Sequence, residues 1–207
     1  MRRLYAIAVV SAALLLALTA LSCGGGKAEE GKEKGKETTS STTTTKTKGA
    51  ITGKEAMEVL AAKAKGWASD AMPVSLGPIV RGKTVEGGKC DYWGSTFYSA
   101  SRKEAYAFNY YQGDVSQAAN PMFQGVDWQV GDLQGAWQVD SPEAADIASG
   151  QGLTEVTSME LSLRQYRPDR NPPQAVPASC RVYWEIGGKD GKTLYIDAAS
   201  GEFLGWK

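Results

Sequence analysis

Thr193-Leu194-Tyr195-Ile196-Asp197-Ala198-Ala199-Ser200-Gly201-Glu202-Phe203-Leu204-Gly205-Trp206 closes the chain one residue before its end. Thr193 to Asp197 is a β-branched and aromatic run, the composition of a strand. Asp197 carries a carboxylate able to accept from the backbone two residues on, and Gly201 supplies a positive φ angle; the pair reads as a turn. Glu202 to Trp206 then adds a last strand. The stretch is a hairpin, and it fixes how the preceding residues are read. Gly187-Gly188-Lys189-Asp190-Gly191 is another turn. Before it, Val182, Trp184 and Ile186 alternate with Arg181, Tyr183 and Glu185. Ser158 to Tyr166 alternates as well, Met159, Leu161 and Leu163 against Ser158, Glu160, Ser162 and Arg164, a strand with one wet face. Asp140-Ser141-Pro142-Glu143 starts a helix, with a capping side chain followed by Pro near its first position. Ala144, Ala145, Ile147 and Ala148 form the apolar side, and Gly150 ends it.

The first half has the same order. Thr52-Gly53-Lys54-Glu55 fits a capping box, and Ala56, Met57, Val59, Leu60, Ala64 and Trp67 follow at helical spacing. Met72 to Leu76 alternates, with Pro73 pointing to an edge strand or a strand start. A Gly-rich loop covers Arg81 to Lys89. Tyr92 to Ala100 and Ala105 to Tyr111 form a hairpin around Ser101 to Glu104, with Tyr106, Phe108 and Tyr110 on one face. From the helix start to the following Cys is 38 residues in one half (52 to 90) and 39 in the other (141 to 180). The expectation is an α+β fold of two repeated units, 50–139 with its connector and 140–207, each one helix packed on a small antiparallel sheet. Gln112 to Gln138 is left without assigned elements.

The first fifty residues are of another kind. Met1-Arg2-Arg3 is followed by 18 residues without charge, Leu4 to Leu21, as in a secretory signal. Thr19-Ala20-Leu21-Ser22-Cys23-Gly24 resembles a bacterial lipobox, although Ala20 occupies the place where Leu is usual. The resemblance implies a signal peptide over 1–22, acylation of Cys23 and anchorage to membrane lipid; two or more acyl chains hold stably where one does not. An uncleaved membrane-spanning anchor is the other way to read the same run. Both put the rest of the chain on the extracytoplasmic face of the cell membrane. Residues 23–49 then carry no large apolar side chain, which predicts a disordered linker with roughly 25–30 Å of reach.

Composition narrows the chemistry. The chain has 207 residues, 23 Lys and Arg, 23 Asp and Glu, three Cys and no His. Without an imidazole, Ser-His-Asp and Cys-His catalysis and the common His-bearing zinc sites are excluded. Zero net charge argues against a nucleic-acid partner. The balance is uneven: residues 50–207 carry 15 basic and 19 acidic side chains, a net of −4. No Gly-x-Ser-x-Gly, Ser-x-x-Lys, P-loop, Gly-x-Gly-x-x-Gly or EF-hand pattern occurs in residues 50–207. No metal site, cofactor or catalytic residue is expected, and the chain reads as a non-enzyme.

The closing string resembles the end of a PepSY-type domain, whose last hairpin typically runs Tyr-x-Ile/Val-Asp-Ala-x-Thr/Ser-Gly-Glu. Tyr195, Asp197, Gly201 and Glu202 occupy those places, Trp137 to Ala144 resembles the start of such a unit, and Trp184 its middle-strand aromatic. The first half lacks the ending and has Tyr110-Tyr111-Gln112-Gly113-Asp114 instead. The resemblance implies an extracytoplasmic, non-enzymatic module that binds protein or inhibits a peptidase. The bland alternative gives Asp197 and Gly201 to the turn alone.

Two further sets of residues carry expectations. Cys90 and Cys180 hold matching places in the two halves of an extracytoplasmic chain, which suggests a disulfide across a pseudo-symmetric seam; two separate buried thiols are the alternative. The bridge would close about 90 residues, worth ~4–5 kcal/mol in the chain-entropy model. Tyr92, Tyr98, Tyr106 and Tyr110 belong to a crowded aromatic hairpin and are candidates for a binding surface; core packing is the alternative. The function expected is a membrane-anchored lipoprotein that binds or regulates an extracytoplasmic protein or peptide. The alternatives are carbohydrate or cell-wall binding through the aromatic strands and, less favoured, a carboxylate-based hydrolase.

Overall fold

The computed structural model describes residues 49–79 and 85–207. The signal segment, Cys23 and the linker up to residue 48 lie outside the described residues.

Two helices carry most of the apolar lid. Helix α1, Gly53–Trp67, begins with the capping box its sequence specifies: the Thr52 side chain accepts from the Glu55 amide, and the Glu55 side chain accepts from the Thr52 amide at 2.8 Å. It buries Ala56, Met57, Leu60 and Ala64, one stripe at helical spacing. Helix α3, Ser141–Gly150, has Asp140 at its N-cap and buries Ala144, Ala145 and Ala148. Between them lies α2, Leu133–Ala136, a single turn capped by Asp132. The strands are β1 Met72–Pro78, β2 Tyr92–Ser99, β3 Glu104–Tyr111, β4 Asp114–Gln117, β5 Phe123–Gln124, β6 Val156–Leu163, β7 Val182–Gly188, β8 Thr193–Asp197 and β9 Phe203–Trp206. The opening hairpin of the sequence reading is β8 and β9, and the unassigned connector supplies β4, β5 and α2.

The expected pair of small separate sheets is not what forms. All nine strands belong to one antiparallel sheet, ordered β4-β3-β2-β1-β6-β7-β8-β9, with β5 on β3. The joint is β1 to β6, where Ser75 faces Ser162 and Leu76 faces Leu161. A small sheet would leave β1 and β6 each with an unpaired edge, and pairing them satisfies both. One continuous core runs across the joint and includes Leu60, Trp93 and Phe108 from one side and Ala148, Trp184 and Ile196 from the other. Pro73 therefore sits in a central strand. It is tolerated at the strand start, beside a bulge between Pro73 and Ser75.

Helices α1 and α3 are clasped at their N-termini. The Ser141 hydroxyl accepts from the Gly53 amide at 2.7 Å, and one Asp140 carboxylate oxygen accepts from the Lys54 and Ser141 amides at 2.9 and 2.7 Å. Two indoles fix the chain entering each helix: Trp93 donates to Ile51 O and Trp184 donates to Val139 O, at 3.0 and 2.9 Å. Gly88 packs against the same corner. Its φ is +68°, and a Cβ there would lie 2.3 Å from the Ser141 carbonyl oxygen, so only glycine fits.

Candidate functional site

Side chains alternate across a strand, so one face of the sheet carries the core and its helices and the other carries the remaining residues. Trp93, Phe97, Phe108, Leu76, Leu161, Trp184 and Ile196 lie on the helix face and are all fully buried. On the opposite face the register aligns a row of small and polar residues. Asn109 faces Gly94 and Gly94 faces Gly77. Across the joint, Glu160 faces Glu185, Glu185 faces Tyr195 and Tyr195 faces Gly205. A groove of about 380 Å³ opens over the middle of this row, lined by Ser75, Gly77, Ile79, Gly94, Ser158, Glu160 and Glu185 among others.

The glycines set the depth of that groove. A Cβ on Gly77 would lie 2.7 Å from the Met159 carbonyl oxygen, so β1 and β6 meet with no side chain between them. A Cβ on Gly94 would lie 3.0 Å from Ile79 Cδ1, which leans over it. The two Glu side chains carry the charge. Glu185 accepts from Lys207 Nζ at 3.0 Å, and Glu160, exposed, accepts from the Ser162 hydroxyl at 3.0 Å. The hydrogen bond from Lys207 to Glu185 holds the lysine above its ordinary pKa. Tyr195 is raised by burial and by the neighbouring Glu185, and burial pushes the Tyr183 phenol up to about 12, so both stay neutral.

Two segments cover parts of this face. Trp128 packs on Tyr98, Phe123 and Tyr166 with ring centroids 5.0–5.3 Å apart, and the Arg167 guanidinium lies 4.8 Å from the Phe123 ring. At the β7–β8 side, Val176 and Cys180 form a small second core with Tyr183 and Tyr195. The groove is a part of the face that these two covers leave open.

The four candidate tyrosines do not share a surface. Tyr110 and Tyr106 point to the helix face, Tyr110 buried and Tyr106 packed at a tilt against Trp67 of α1, ring centroids 5.0 Å apart. Tyr98 is buried under Trp128 on the other face and donates to Val126 O at 3.1 Å. Tyr92 alone is half-exposed there, edge-on to Tyr111 at 5.4 Å. Core packing therefore claims most of the aromatic hairpin.

Of the closing-string residues, Asp197 accepts from the Ala199 and Ser200 amides at 2.7 and 3.3 Å, and Gly201 has φ +80°. Both serve the turn, Tyr195 is buried and Glu202 is exposed. Cys90 and Cys180 are not bonded to each other. They precede β2 and β7, which β1 and β6 separate in the sheet and which run antiparallel, so their starts lie at opposite ends. Three strand spacings alone are about 14 Å, against the 4.4–6.8 Å that a disulfide spans between Cα atoms. The matched positions misled because equivalent positions in an antiparallel pair of halves point away from each other.

Of the groove residues, the sequence marks Ser158, Glu160 and Glu185 only as the polar side of strands and none as a binding candidate. A usable signal existed: Gly77 and Gly94 interrupt strand patterns, and a strand glycine marks close backbone approach. Among the described residues no group of three or more Asp, Glu or Cys is placed to hold a metal ion, and no helix is long and apolar enough to cross a membrane.

Fold and groove together define a helix-backed antiparallel sheet with a partly open outer face. No protein-family model matches the chain, and no curated protein matches it. A solved structure from Clostridium difficile 630, described provisionally as a lipoprotein, aligns with a TM-score of 0.47 at 14% identity, covering 73% of this chain and 91% of its own.

Proposed function

We propose that this protein is a lipid-anchored, extracytoplasmic module without catalytic activity that binds an extended segment of a protein or peptide on the open face of its sheet. The groove over Gly77 and Gly94 is the observation that carries the binding half of this reading, because it is a concave surface over the middle strands of the sheet that neither covering segment fills. The Cys23 lipobox and the uncharged run before it support the anchor. The resemblance of residues 137–204 to PepSY modules supports a regulatory use, such as restraint of a peptidase.

Recovery of partners from membranes, identified by mass spectrometry, tests the binding half when wild type is compared with Ser158→Tyr. Ser158 is exposed at the groove, so the new ring obstructs it without entering the core. A partner recovered by wild type and lost by the variant is expected; equal recovery by both would place binding elsewhere, and glycan in place of protein would favour the carbohydrate alternative. For the anchor, the mature chain should begin at an acylated Cys23, and any other first residue overturns it.

A further inference from the structure

We infer that the occupant of the groove is a basic extended segment, one that sets a Lys or Arg side chain between Glu160 and Glu185. This inference rests on the binding reading above and names the chemistry of its partner. Glu160 and Glu185 are direct cross-strand partners on adjacent strands. Like charges placed opposite one another on a sheet are unfavourable, and a cation lodged between them removes the repulsion. Lys207 answers one of the two, at Glu185 Oε1, from the last residue of the chain. Glu160 accepts a hydrogen bond only from the neutral Ser162 hydroxyl; Lys207 and Arg170 act on it at longer range, and among the described residues no ion pair holds it.

The ground beside the carboxylates suits a main chain. Gly77 and Gly94 are cross-strand partners that add no side chains of their own; Ile79 leans over Gly94 as an apolar wall, and the Ser75 and Ser158 side chains beside them are small and polar. A segment lying there meets a floor of small residues, walled by Ile79, with two acids at its end. The remainder of the folded chain has the same sign, 15 basic against 19 acidic side chains over residues 50–207, and so favours approach of a positive partner.

The full-length protein in its native membrane, with a photo-crosslinking residue in place of Ser158, reads the occupant directly. Light-dependent adducts are digested and the attached segment is sequenced by mass spectrometry. A synthetic peptide of that segment is then titrated against wild type and Glu160→Gln at low and high salt. The captured segment should contain Lys or Arg within a few residues of the adduct. Its affinity should fall roughly three- to five-fold in Glu160→Gln and weaken with salt more steeply in wild type than in the variant. A captured segment without basic residues, or one bound equally by both proteins, overturns the inference and leaves the binding reading standing. No adduct at Ser158 overturns both. Capture of the chain's own Lys-bearing residues 24–49 replaces an external partner with a self-contact and overturns the inference as stated.

Discussion

Asp197 and Asp70 show what a short polar side chain does in this molecule. Asp197 holds the β8–β9 turn by accepting from two amides, the role that its place before Ala198-Ala199-Ser200-Gly201 implies. Asp70 accepts from the Ser101 amide at 2.8 Å and from the Ser99 hydroxyl at 2.7 Å, pinning α1's exit to the β2–β3 turn. The Ser101 amide, with Ser99 second, holds its carboxyl below the ordinary value. A carboxylate depressed in the folded state stabilises it above the unfolded pKa and loses that contribution as pH falls through the folded pKa. Asp70→Asn should therefore unfold at lower urea than wild type at about pH 7, and the gap should close at about pH 2. Cys180 is the other telling residue. Burial, and then the nearby Asp197 carboxylate, push its thiol up to about 12, so it stays protonated and inert at neutral pH. Iodoacetamide should spare Cys180 in the native protein, and should label both Cys90 and Cys180 in denaturant without reductant. Resistance of both after denaturation would restore the disulfide.

Helix α1 was legible because everything that starts and orients it is local: Thr52 and Glu55 are three residues apart, and its buried stripe follows from spacing. Its tie to α3 was not, since Gly53 and Ser141 stand 88 residues apart in sequence. That tie also ranks two substitutions. Ser141 is fully buried, so Ser141→Ala leaves the Gly53 amide without a partner where water cannot replace it, at a cost of about 1–3 kcal/mol. Thr52→Ala removes a cap on a half-exposed residue, where water partly substitutes, and should cost about 1 kcal/mol or less. Thermal or urea denaturation of the two variants compares them; a larger loss for Thr52→Ala would contradict the clasp. Strand β1 teaches the converse. Pro73 has an edge-strand signature, yet β1 is central, because a bulge takes up the missing donor.

One sheet and a main core continuous across its joint make the two halves a single cooperative body. Hydrogen exchange followed by peptide mass spectrometry should give the same limiting protection over 92–111 and 182–197, and urea should unfold both together. Leu161→Ala, at the β1–β6 joint, should lower both by the same amount, about 2–5 kcal/mol. Two separated transitions, or a loss confined to one half, would indicate independent units.

The chain's own order of residues settles the local elements: helices capped at Thr52 and Asp140, hairpins at 99–104 and 188–193, a closing turn at Asp197 and Gly201. Each depends on side chains within a few residues of one another, and these are the distances over which periodicity and turn chemistry act. Pairing of β1 with β6, the separation of Cys90 from Cys180, the burial of Tyr98 and Tyr110, and the meeting of Gly77, Gly94, Glu160 and Glu185 belong to the folded chain. They follow from which strand edges pair and which faces become covered, contacts between residues tens of positions apart that leave no period in the sequence. The candidate groove belongs wholly to that second group: its floor comes from β1 and β2, its charge from β6 and β7, and no stretch of sequence contains both.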